Sequence, residues 1–283
     1  MSQPNQPVVW IDGALREPHA GLHWSDHGIT VGDGVFETIK LVGNRPFALE
    51  PHLDRLAHSA GGLGLGVPSR KDLDVAIAEV AAAWAESAGP STLGRLRITV
   101  TGGPGPMGSD RGDGGPTLMV TAGDMELRRT PAAVVVVPWT RNEQGAVAGL
   151  KTTSYAENVV ALARAKRDGA EEAIFANTRG ELCEGTGANV FVGVDGALVT
   201  PPLDSGCLAG VTRALVIEAL AGSGVIVQER PLPVAALADG EEAFLTSTGR
   251  EVQPVGSVDG DALPAAPGPL TLAAQSAWDD RYA

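Results

Sequence analysis

A single lysine in the segment GLKTTSYAENVVALARAKRDG, residues 149–169, has a setting that suits covalent chemistry. Lys151 is one of only four lysines in the chain, and it stands directly before a stretch with the apolar periodicity of a helix. Burial in a cleft would favour the uncharged form of its amine, which attacks carbonyl carbon and forms an imine. A solvated lysine ahead of a helix is the alternative interpretation.

An aldehyde cofactor with a pyridine ring, such as pyridoxal phosphate, would also need a carboxylate beside its ring nitrogen. Glu184 is the candidate, because in ELCEGTGANVF it is flanked by Cys183 and Gly185. An acid in apolar surroundings costs free energy unless it is paired with a cation. A solvent-facing glutamate at the end of a strand is the alternative.

The phosphate of such a cofactor would need a local anion site, and three segments offer one. CLAGVTRALVIEAL places Val211 and Thr212 at a helix N-terminus, where free N–H groups and the helix dipole favour an anion. TSTG, residues 246–249, offers hydroxyls and amides after a strand. Arg55 in HLDRLAHSA supplies a guanidinium. The alternatives are a helix capped by threonine and a surface ion pair.

The 283-residue chain has the composition of an ordinary globular protein, with 43% hydrophobic residues, 19% charged residues and a formal net charge of −13. It lacks the clustered lysine and arginine that bind phosphate backbones, so no nucleic-acid partner is expected. No run approaches the roughly 20 apolar residues of a membrane helix, and MSQPNQPVVW shows no secretory signal. Cys183 and Cys207 suit buried positions in a reducing cytosol. A cytoplasmic protein without a membrane partner is therefore expected.

Strands and helices alternate along the chain, which predicts a mixed α/β or α+β class with two domains. We expect a smaller N-terminal α/β domain at 1–122, an interdomain linker at 123–131 and a larger C-terminal cofactor-binding domain at 132–283. A cleft is expected between the two domains.

Local patterns predict several elements within these domains. The glycine- and proline-rich stretch 102–116 predicts an irregular loop. Helices are predicted at 70–88 and 154–168. The second helix is expected to carry an apolar stripe of Val159, Val160, Leu162 and Ala163.

Histidines spaced by four residues could form a metal-binding face on a helix. His19, His23 and His27 have this spacing, but Pro18, Gly21 and Gly28 surround them. These neighbours favour strand and turn, so no metal site is expected.

Six motifs, taken in order, resemble the class IV (fold type IV) pyridoxal phosphate enzymes. This family includes branched-chain aminotransferases, D-amino acid aminotransferases and aminodeoxychorismate lyases. The resemblance implies a two-domain fold like that of D-amino acid aminotransferase, a pyridoxal 5'-phosphate cofactor, a small-molecule amino substrate and a homodimer. The motifs span nearly the whole chain and are HGITVGDGVFETIK, HLDRL, GLKTTSY, ELCEGTGANVF, CLAGVTR and FLTSTGREVQPV.

The resemblance also implies roles for individual positions. Lys151 would bind the cofactor covalently and shuttle a proton, and Glu184 would keep the pyridine nitrogen protonated. The other implied cofactor contacts are Tyr155 at the phenolic oxygen, Leu208 on the ring face, and Arg55, Val211, Thr212, Ser247 and Thr248 around the phosphate.

Within this family the sequence favours an aminodeoxychorismate lyase. Phe36 stands where D-amino acid aminotransferases have a tyrosine, the loop VTGGPGPMGSDRG lacks their RxH pair, and GRLRITVTGG lacks the arginine-proline strand of branched-chain enzymes. Glu37 departs from some lyases and is shared with aminotransferases. The predicted substrate-binding residues are Phe36, Arg97 and Arg111, with Arg95 on the same strand face as Arg97.

Two other functions remain open at this point. An aminotransferase acting on branched-chain amino acids, D-amino acids or amines is the first alternative. A non-catalytic binding protein on the same fold is the second, and it would predict loss of Lys151 or Glu184, both of which are present.

Overall fold

The computed structural model describes residues 6–89 and 93–282. The chain divides into two compact units. Unit 1 comprises Met1–Glu126 and Leu150–Tyr155, and unit 2 comprises Leu127–Gly149 and Ala156–Ala283. The short segment that carries Lys151 thus groups with the N-terminal unit, whereas the sequence-based division places it in the 132–283 domain. The reason is that this segment pairs with a strand of unit 1, as shown below.

The sheet of unit 1 has six strands, and each is antiparallel to its neighbours. They are β1 (Val8–Ile11), β2 (Ala14–Arg16), β3 (Gly34–Val42), β4 (Arg45–Pro46), β5 (Leu93–Thr101) and β6 (Thr117–Asp124). Their order across the sheet is β2-β1-β6-β5-β3-β4. Side chains alternate between the faces of a strand, so Val35 and Ile39 enter the core while Phe36 and Thr38 face the other way.

Three helices accompany this sheet: α1 (His27–Thr30), α2 (Leu49–Leu63) and α3 (Arg70–Ala88). Leu53 and Leu56 of α2 and Trp84 of α3 are buried in one hydrophobic core with β3, β5 and β6. The spacing of apolar residues in α2 and α3 produces this packing, because positions three and four apart share a helix face. His27 lies in α1 and not in the strand or turn that its neighbours predict.

The sheet of unit 2 has nine strands. They are β7 (Ala132–Arg141), β8 (Glu172–Asn177), β9 (Leu182–Gly185), β10 (Asn189–Val194), β11 (Ala197–Thr200), β12 (Val227–Glu229), β13 (Glu242–Ser247), β14 (Glu251–Val258) and β15 (Asp261–Ala262). Eight follow the order β12-β11-β10-β13-β14-β7-β8-β9, and β15 pairs with β14. The β7–β8, β7–β14 and β11–β12 pairs are parallel. The sheet is therefore mixed, with both parallel and antiparallel pairs.

The helices of unit 2 are α4 (Ala156–Arg167), α5 (Val211–Leu220), α6 (Ala236–Asp239) and α7 (Pro269–Tyr282), with a 3₁₀ turn at Leu203–Ser205. The predicted apolar stripe of α4 is wrong, because Val159 and Val160 are 64% and 52% exposed. The buried face is instead formed by Asn158, Ala161 and Ala165. These residues are spaced by three and four, and their small side chains let the helix approach β7 and β8 closely.

Residues 102–116 contain no strand or helix beyond a single bridge between Asp26 and Pro104, as their composition predicts. Within the described ranges 6–89 and 93–282, no helix combines the length and apolar character required to cross a bilayer.

Candidate active site

Lys151 lies at the edge of the unit 1 sheet, where its backbone continues the pairing of β3. The Phe36 amide donates to the Lys151 carbonyl at 3.0 Å, and the Thr153 amide donates to the Gly34 carbonyl at 2.8 Å. The Lys151 amide donates to the Ser59 hydroxyl on α2 at 3.1 Å. Both backbone groups of Lys151 are thus bonded, so β3 and α2 set the position of this lysine.

The ring of Phe36 contacts three other predicted site residues. The Lys151 Nζ lies 4.3 Å from the ring centroid, and the Arg97 Cζ lies 3.8 Å from it. The Tyr155 ring meets Phe36 edge-on, with centroids 5.2 Å apart. Cations are attracted to aromatic faces, so the buried phenyl ring holds an ammonium and a guanidinium close together. Tyr155 and Lys151 are themselves within 5.8 Å, measured from Nζ to the ring centroid.

Arg97 carries a positive charge that no described carboxylate neutralises. It is half-buried on β5, and its Nε donates to the Thr99 hydroxyl at 3.1 Å. Burial lowers the pKa of the guanidinium, and the nearby Tyr155 opposes this shift. An arginine nevertheless stays protonated in proteins, and a desolvated charge is costly without a partner. The arrangement suits a negatively charged ligand.

A second cluster on the same unit is built around the buried carboxylate of Glu37. Arg55 Nε and Nη2 donate to its two oxygens at 2.8 and 2.7 Å, and His52 Nδ1 lies 2.7 Å from Oε2. His52 and Arg55 are three residues apart on α2 and therefore share a face. The predicted phosphate contact Arg55 is thus held in place by Glu37. Sequence reasoning missed this cluster, although the His-x-x-Arg spacing in HLDRL was a signal for it.

The pKa values in this cluster follow from burial and hydrogen bonding together. Burial alone would raise the pKa of Glu37, but the bonds from Arg55 and His52 outweigh it and lower the pKa to about 2. Burial lowers the pKa of His52; Glu37 opposes this shift, and the charges of Arg55 and Lys151 add to it. Glu37 is therefore ionised at neutral pH, and Arg55 is oriented by a fixed negative charge.

Arg111, a predicted substrate contact, is engaged elsewhere in unit 1. Its Nε and Nη2 donate to the Asp33 carboxylate at 2.7 and 2.6 Å, and its remaining donors reach the carbonyls of Leu63 and Gly64 at the end of α2. These bonds tie the loop 102–116 to the end of α2. A substrate carboxylate would have to displace Asp33 to bind Arg111.

In unit 2 the carboxylate of Glu184 is held from both sides. Arg141 Nε donates to Oε1 at 3.2 Å, and the Leu208 amide donates to Oε2 at 2.9 Å. The Arg141 guanidinium lies 4.3 Å from the ring centroid of Phe175, the residue opposite Glu184 on β8. Arg141 is a further functional candidate that the sequence did not single out, because ten residues separate it from Lys151 and 43 from Glu184.

The turn that leads into α5 presents backbone donors. Asn189 Nδ2 donates to the Leu208 carbonyl at 2.9 Å, and a Cβ on Gly210 would lie 1.9 Å from Asn189 Oδ1. Only glycine therefore fits at position 210. No side chain caps the N-terminus of α5, where Val211 and Thr212 lie. The first amides of this ten-residue helix suit an anion.

The predicted contacts Ser247 and Thr248 lie at the end of β13 and in the turn after it. The Arg250 amide donates to the Ser247 carbonyl at 3.1 Å and closes this turn. Arg250 is buried and is bonded to Glu172 of β8, so the turn is fixed to the neighbouring part of the unit 2 sheet.

The donor set of the chain fits pyridoxal phosphate. Unit 1 contains the amine of Lys151. Unit 2 contains the hydrogen-bonded carboxylate of Glu184, an uncapped helix N-terminus and a position at Gly210 that a Cβ would obstruct. This cofactor requires an amine, an acid partner and phosphate donors, and the chain carries a candidate for each. Of the predicted residues, Arg97, Lys151 and Tyr155 each contact the Phe36 ring in unit 1, and Glu184 and Leu208 are in contact in unit 2.

Comparison with known proteins identifies the family that the sequence motifs resemble. The profile of the amino-transferase class IV family matches residues 34–258. A D-alanine aminotransferase of Bacillus licheniformis is 31% identical over 95% of this chain and 95% of its own length. A bifunctional aminodeoxychorismate lyase / D-amino acid transaminase of Mycobacterium tuberculosis is 30% identical, over 92% of this chain and 94% of its own.

A solved structure shares the fold. It is a fold IV transaminase from Curtobacterium pusillum, with a TM-score of 0.85 and 30% identity, covering 95% of this chain and 98% of that one. The mixed α/β architecture is therefore that of the fold type IV transaminases, which confirms the predicted fold class.

Proposed function

This chain belongs to the amino-transferase class IV family of pyridoxal phosphate-dependent enzymes, and from this premise we propose that it is an aminodeoxychorismate lyase. The reaction converts 4-amino-4-deoxychorismate to 4-aminobenzoate and pyruvate, a step towards folate. The ring loses a proton and the C–O bond to the enolpyruvyl group breaks. The departing enol takes up a proton and leaves as pyruvate, and the ring becomes aromatic, which supplies the driving force.

The observation that carries the proposal is the arrangement of charges around Phe36. Lys151 Nζ and Arg97 Cζ lie 4.3 and 3.8 Å from the same ring centroid, and no described carboxylate neutralises Arg97. A substrate with an amine and a carboxylate would match these two groups. Arg95 lies two residues away on the same strand face and is exposed. Two arginines on one face suit a substrate with two carboxylates, as aminodeoxychorismate has.

The roles proposed for the individual residues follow from their contacts. Bound pyridoxal phosphate withdraws electrons from the carbon that carries the substrate nitrogen. Lys151 would hold the cofactor and then move a proton as the general base. Glu184, fixed by Arg141 and the Leu208 amide, would keep the pyridine nitrogen protonated.

The phosphate would be held by a set of donors that differ in kind. The proposed donors are Arg55, oriented by Glu37, together with the backbone and hydroxyl groups of Val211, Thr212, Ser247 and Thr248. Leu208 would contact the ring face, and Tyr155, which lies beside Lys151, would reach the phenolic oxygen.

An aminotransferase is the second candidate, because relatives of this chain carry that name. One is a D-alanine aminotransferase, and another joins lyase and D-amino acid transaminase activity in one protein. In that case Lys151 would still move the proton as the general base, but the substrate would not lose pyruvate. Phe36 lacks the hydroxyl that the resemblance implies for D-amino acid enzymes, which favours the lyase.

We further propose that the chain acts as a homodimer on a small amino substrate in the cytoplasm. The family resemblance supports the dimer. The oligomeric state can be measured by light scattering of the purified protein.

A comparison of two classes of substrate tests the proposed reaction. Purified enzyme loaded with pyridoxal phosphate is given aminodeoxychorismate and, separately, L- and D-amino acids with a keto acid acceptor. Release of 4-aminobenzoate and pyruvate from the first substrate would support the lyase. Turnover only in the presence of a keto acid would reject it in favour of the aminotransferase.

The substitution Arg97→Leu tests the carboxylate site within the same assay. Loss of one charge-assisted bond predicts that kcat/KM falls by about 100-fold, mainly through KM. The matched variant Arg95→Leu, which removes an exposed charge from the same strand face, should have a smaller effect. Equal activity of Arg97→Leu and the wild type would reject the assignment.

A further inference from the structure

Two buried and oppositely charged residues connect separate turns of unit 2. Glu172 begins β8 and is 2% exposed, and Arg250 follows the turn after β13 and is 8% exposed. The Arg250 Nη2 donates to Glu172 Oε2 at 3.0 Å. Neither side chain is among the proposed catalytic or cofactor contacts.

The other oxygen of Glu172 holds the turn that follows Glu184. Its Oε1 accepts from the Thr186 amide at 3.0 Å and also from the Thr186 hydroxyl. A Cβ on Gly185 would lie 3.2 Å from the Glu172 carboxyl carbon, so the glycine allows this close approach. Through these contacts Glu172 fixes the backbone directly after Glu184.

Arg250 in the same way holds the turn that contains Ser247 and Thr248. Its amide closes that turn on the Ser247 carbonyl at 3.1 Å. Its Nη1 donates to Gln253, whose amide nitrogen donates to the Thr130 carbonyl at 2.8 Å. The guanidinium is thus anchored on the side away from Glu172 as well.

We propose that the Glu172–Arg250 pair is a positioning element that fixes the spacing between the two ends of the cofactor site. The inference rests on the proposed function, in which Glu184 receives the pyridine nitrogen and the Ser247–Thr248 turn receives the phosphate. A rigid ligand gains from two anchors only when their separation matches its length, because the second contact is then made without further loss of freedom.

Net stability alone does not explain the presence of the buried Glu172–Arg250 pair. The desolvation of two buried charges offsets much of their attraction, so a buried ion pair by itself adds little net stability. Its benefit lies in geometry, since a charged pair with several hydrogen bonds tolerates only one arrangement of the two turns.

Binding of fragments to the apoenzyme separates positioning from direct contact. Inorganic phosphate probes the phosphate end, pyridoxal probes the ring end, and pyridoxal phosphate needs both. For Arg250→Met we expect the Kd of pyridoxal phosphate to rise by about 10-fold or more, as is typical when an outer supporting contact of a site is lost. The Kd values of phosphate and pyridoxal should change by about twofold at most.

Glu172→Gln should raise the Kd of pyridoxal phosphate in the same way, with little change for the two fragments. The Kd of the double variant should be no higher than that of the weaker-binding single variant, because the two residues act as one unit. Arg250→Lys keeps the charge and should recover part of the affinity. If Arg250→Met does not fold, Glu172→Gln and Arg250→Lys still test the pair.

The control Glu242→Gln removes a buried carboxylate that caps α7 in the same unit. It should lower the Tm and leave the affinity for pyridoxal phosphate unchanged.

Two results would overturn the inference. One is an unchanged affinity for pyridoxal phosphate in both single variants. The other is an equal loss of affinity for inorganic phosphate, which would make Arg250 a direct phosphate contact. If the wild-type apoenzyme fails to bind pyridoxal phosphate at all, the proposed function itself fails, and the fragment data keep the two failures apart.

Discussion

The two units hold their proposed functional residues by different physical means. Unit 1 uses ionised side chains: the buried Glu37 carboxylate orients Arg55 and His52, and the Phe36 ring holds Lys151 and Arg97. Unit 2 also has ion pairs, at Glu184 and Glu172, but adds backbone groups and small residues, with the Leu208 amide on Glu184 and an uncapped helix after Gly210.

This difference follows from the chemistry proposed for each unit. Proton transfer and carboxylate binding need ionisable side chains. A buried charge is costly without a partner, and here the partner comes from a distant part of the sequence. A phosphate group can instead be bound by N–H groups of the main chain. Unit 1 should therefore be sensitive mainly to loss of charge, and unit 2 to added volume as well as to loss of its buried ion pair.

The largest effect is expected at the amine of unit 1. Lys151→Ala removes the proposed covalent attachment and the general base together, so kcat should fall by about 10⁴-fold. Borohydride treatment followed by mass spectrometry should fix the cofactor to wild type and not to the variant. Lys166→Ala, an exposed lysine of α4, is the control and should retain activity and labelling. Labelling at another lysine in wild type would contradict the role of Lys151.

Loss of the buried carboxylate of unit 1 should destabilise the fold strongly, because it leaves the charge of Arg55 without its partner. Breaking a buried ion pair typically costs about 3 kcal/mol or more, so Glu37→Gln should lower the free energy of unfolding of the apoenzyme in urea by about that amount. Glu50→Gln is a matched control, since Glu50 also pairs with an arginine through two bonds but is exposed on α2. No measurable change is expected for it.

The pH dependence gives a second measure of the same group. Because the pKa of Glu37 is lowered from 4.5 to about 2 in the fold, its contribution is present above pH 4.5 and is lost as the pH falls towards 2. The stability difference between wild type and Glu37→Gln should therefore shrink over this interval. A difference that stays constant from pH 6 to pH 3 would reject the lowered pKa.

Added volume should damage unit 2 at a single glycine. A methyl group at Gly210 would collide with Asn189 Oδ1, which lies 1.9 Å from the Cβ position. Gly210→Ala should weaken binding of pyridoxal phosphate to the apoenzyme by roughly 10-fold, measured by fluorescence titration. Gly123→Ala, where nothing lies within 4 Å of the Cβ position, should bind normally. Normal binding by Gly210→Ala would show that this turn adapts.

The smallest expected effect concerns the two thiols of unit 2, which directly precede Glu184 and Leu208. Burial raises the pKa of Cys183, and it raises the pKa of Cys207 to about 11; the charge of Glu184 adds to both shifts. At pH 8 a thiol reagent should leave both cysteines of the native enzyme unmodified and label both in urea. Rapid labelling of the native protein would show that this part of unit 2 opens.

Sequence patterns were sufficient for the elements that depend on local physics. The helix predicted at 70–88, which is α3, and the irregular loop 102–116 follow from side-chain spacing and from glycine and proline content. The face of α4 did not follow in this way, because Val159 and Val160 are apolar yet exposed, and the contact surface selected Ala161 and Ala165 for their small size.

For the candidate site, the amino-acid order alone determined which reactive groups are available: one lysine before a helix, one acid in apolar surroundings and glycines at a helix start. Only the tertiary structure decided how they are used. It placed Lys151 on the sheet of unit 1, Arg111 on Asp33, Arg55 on Glu37 and Arg250 on Glu172. The physical reason is that the two residues of each arginine–carboxylate pair lie 18 to 78 residues apart in the sequence. Their pairing therefore depends on strand register and chain packing and not on local spacing.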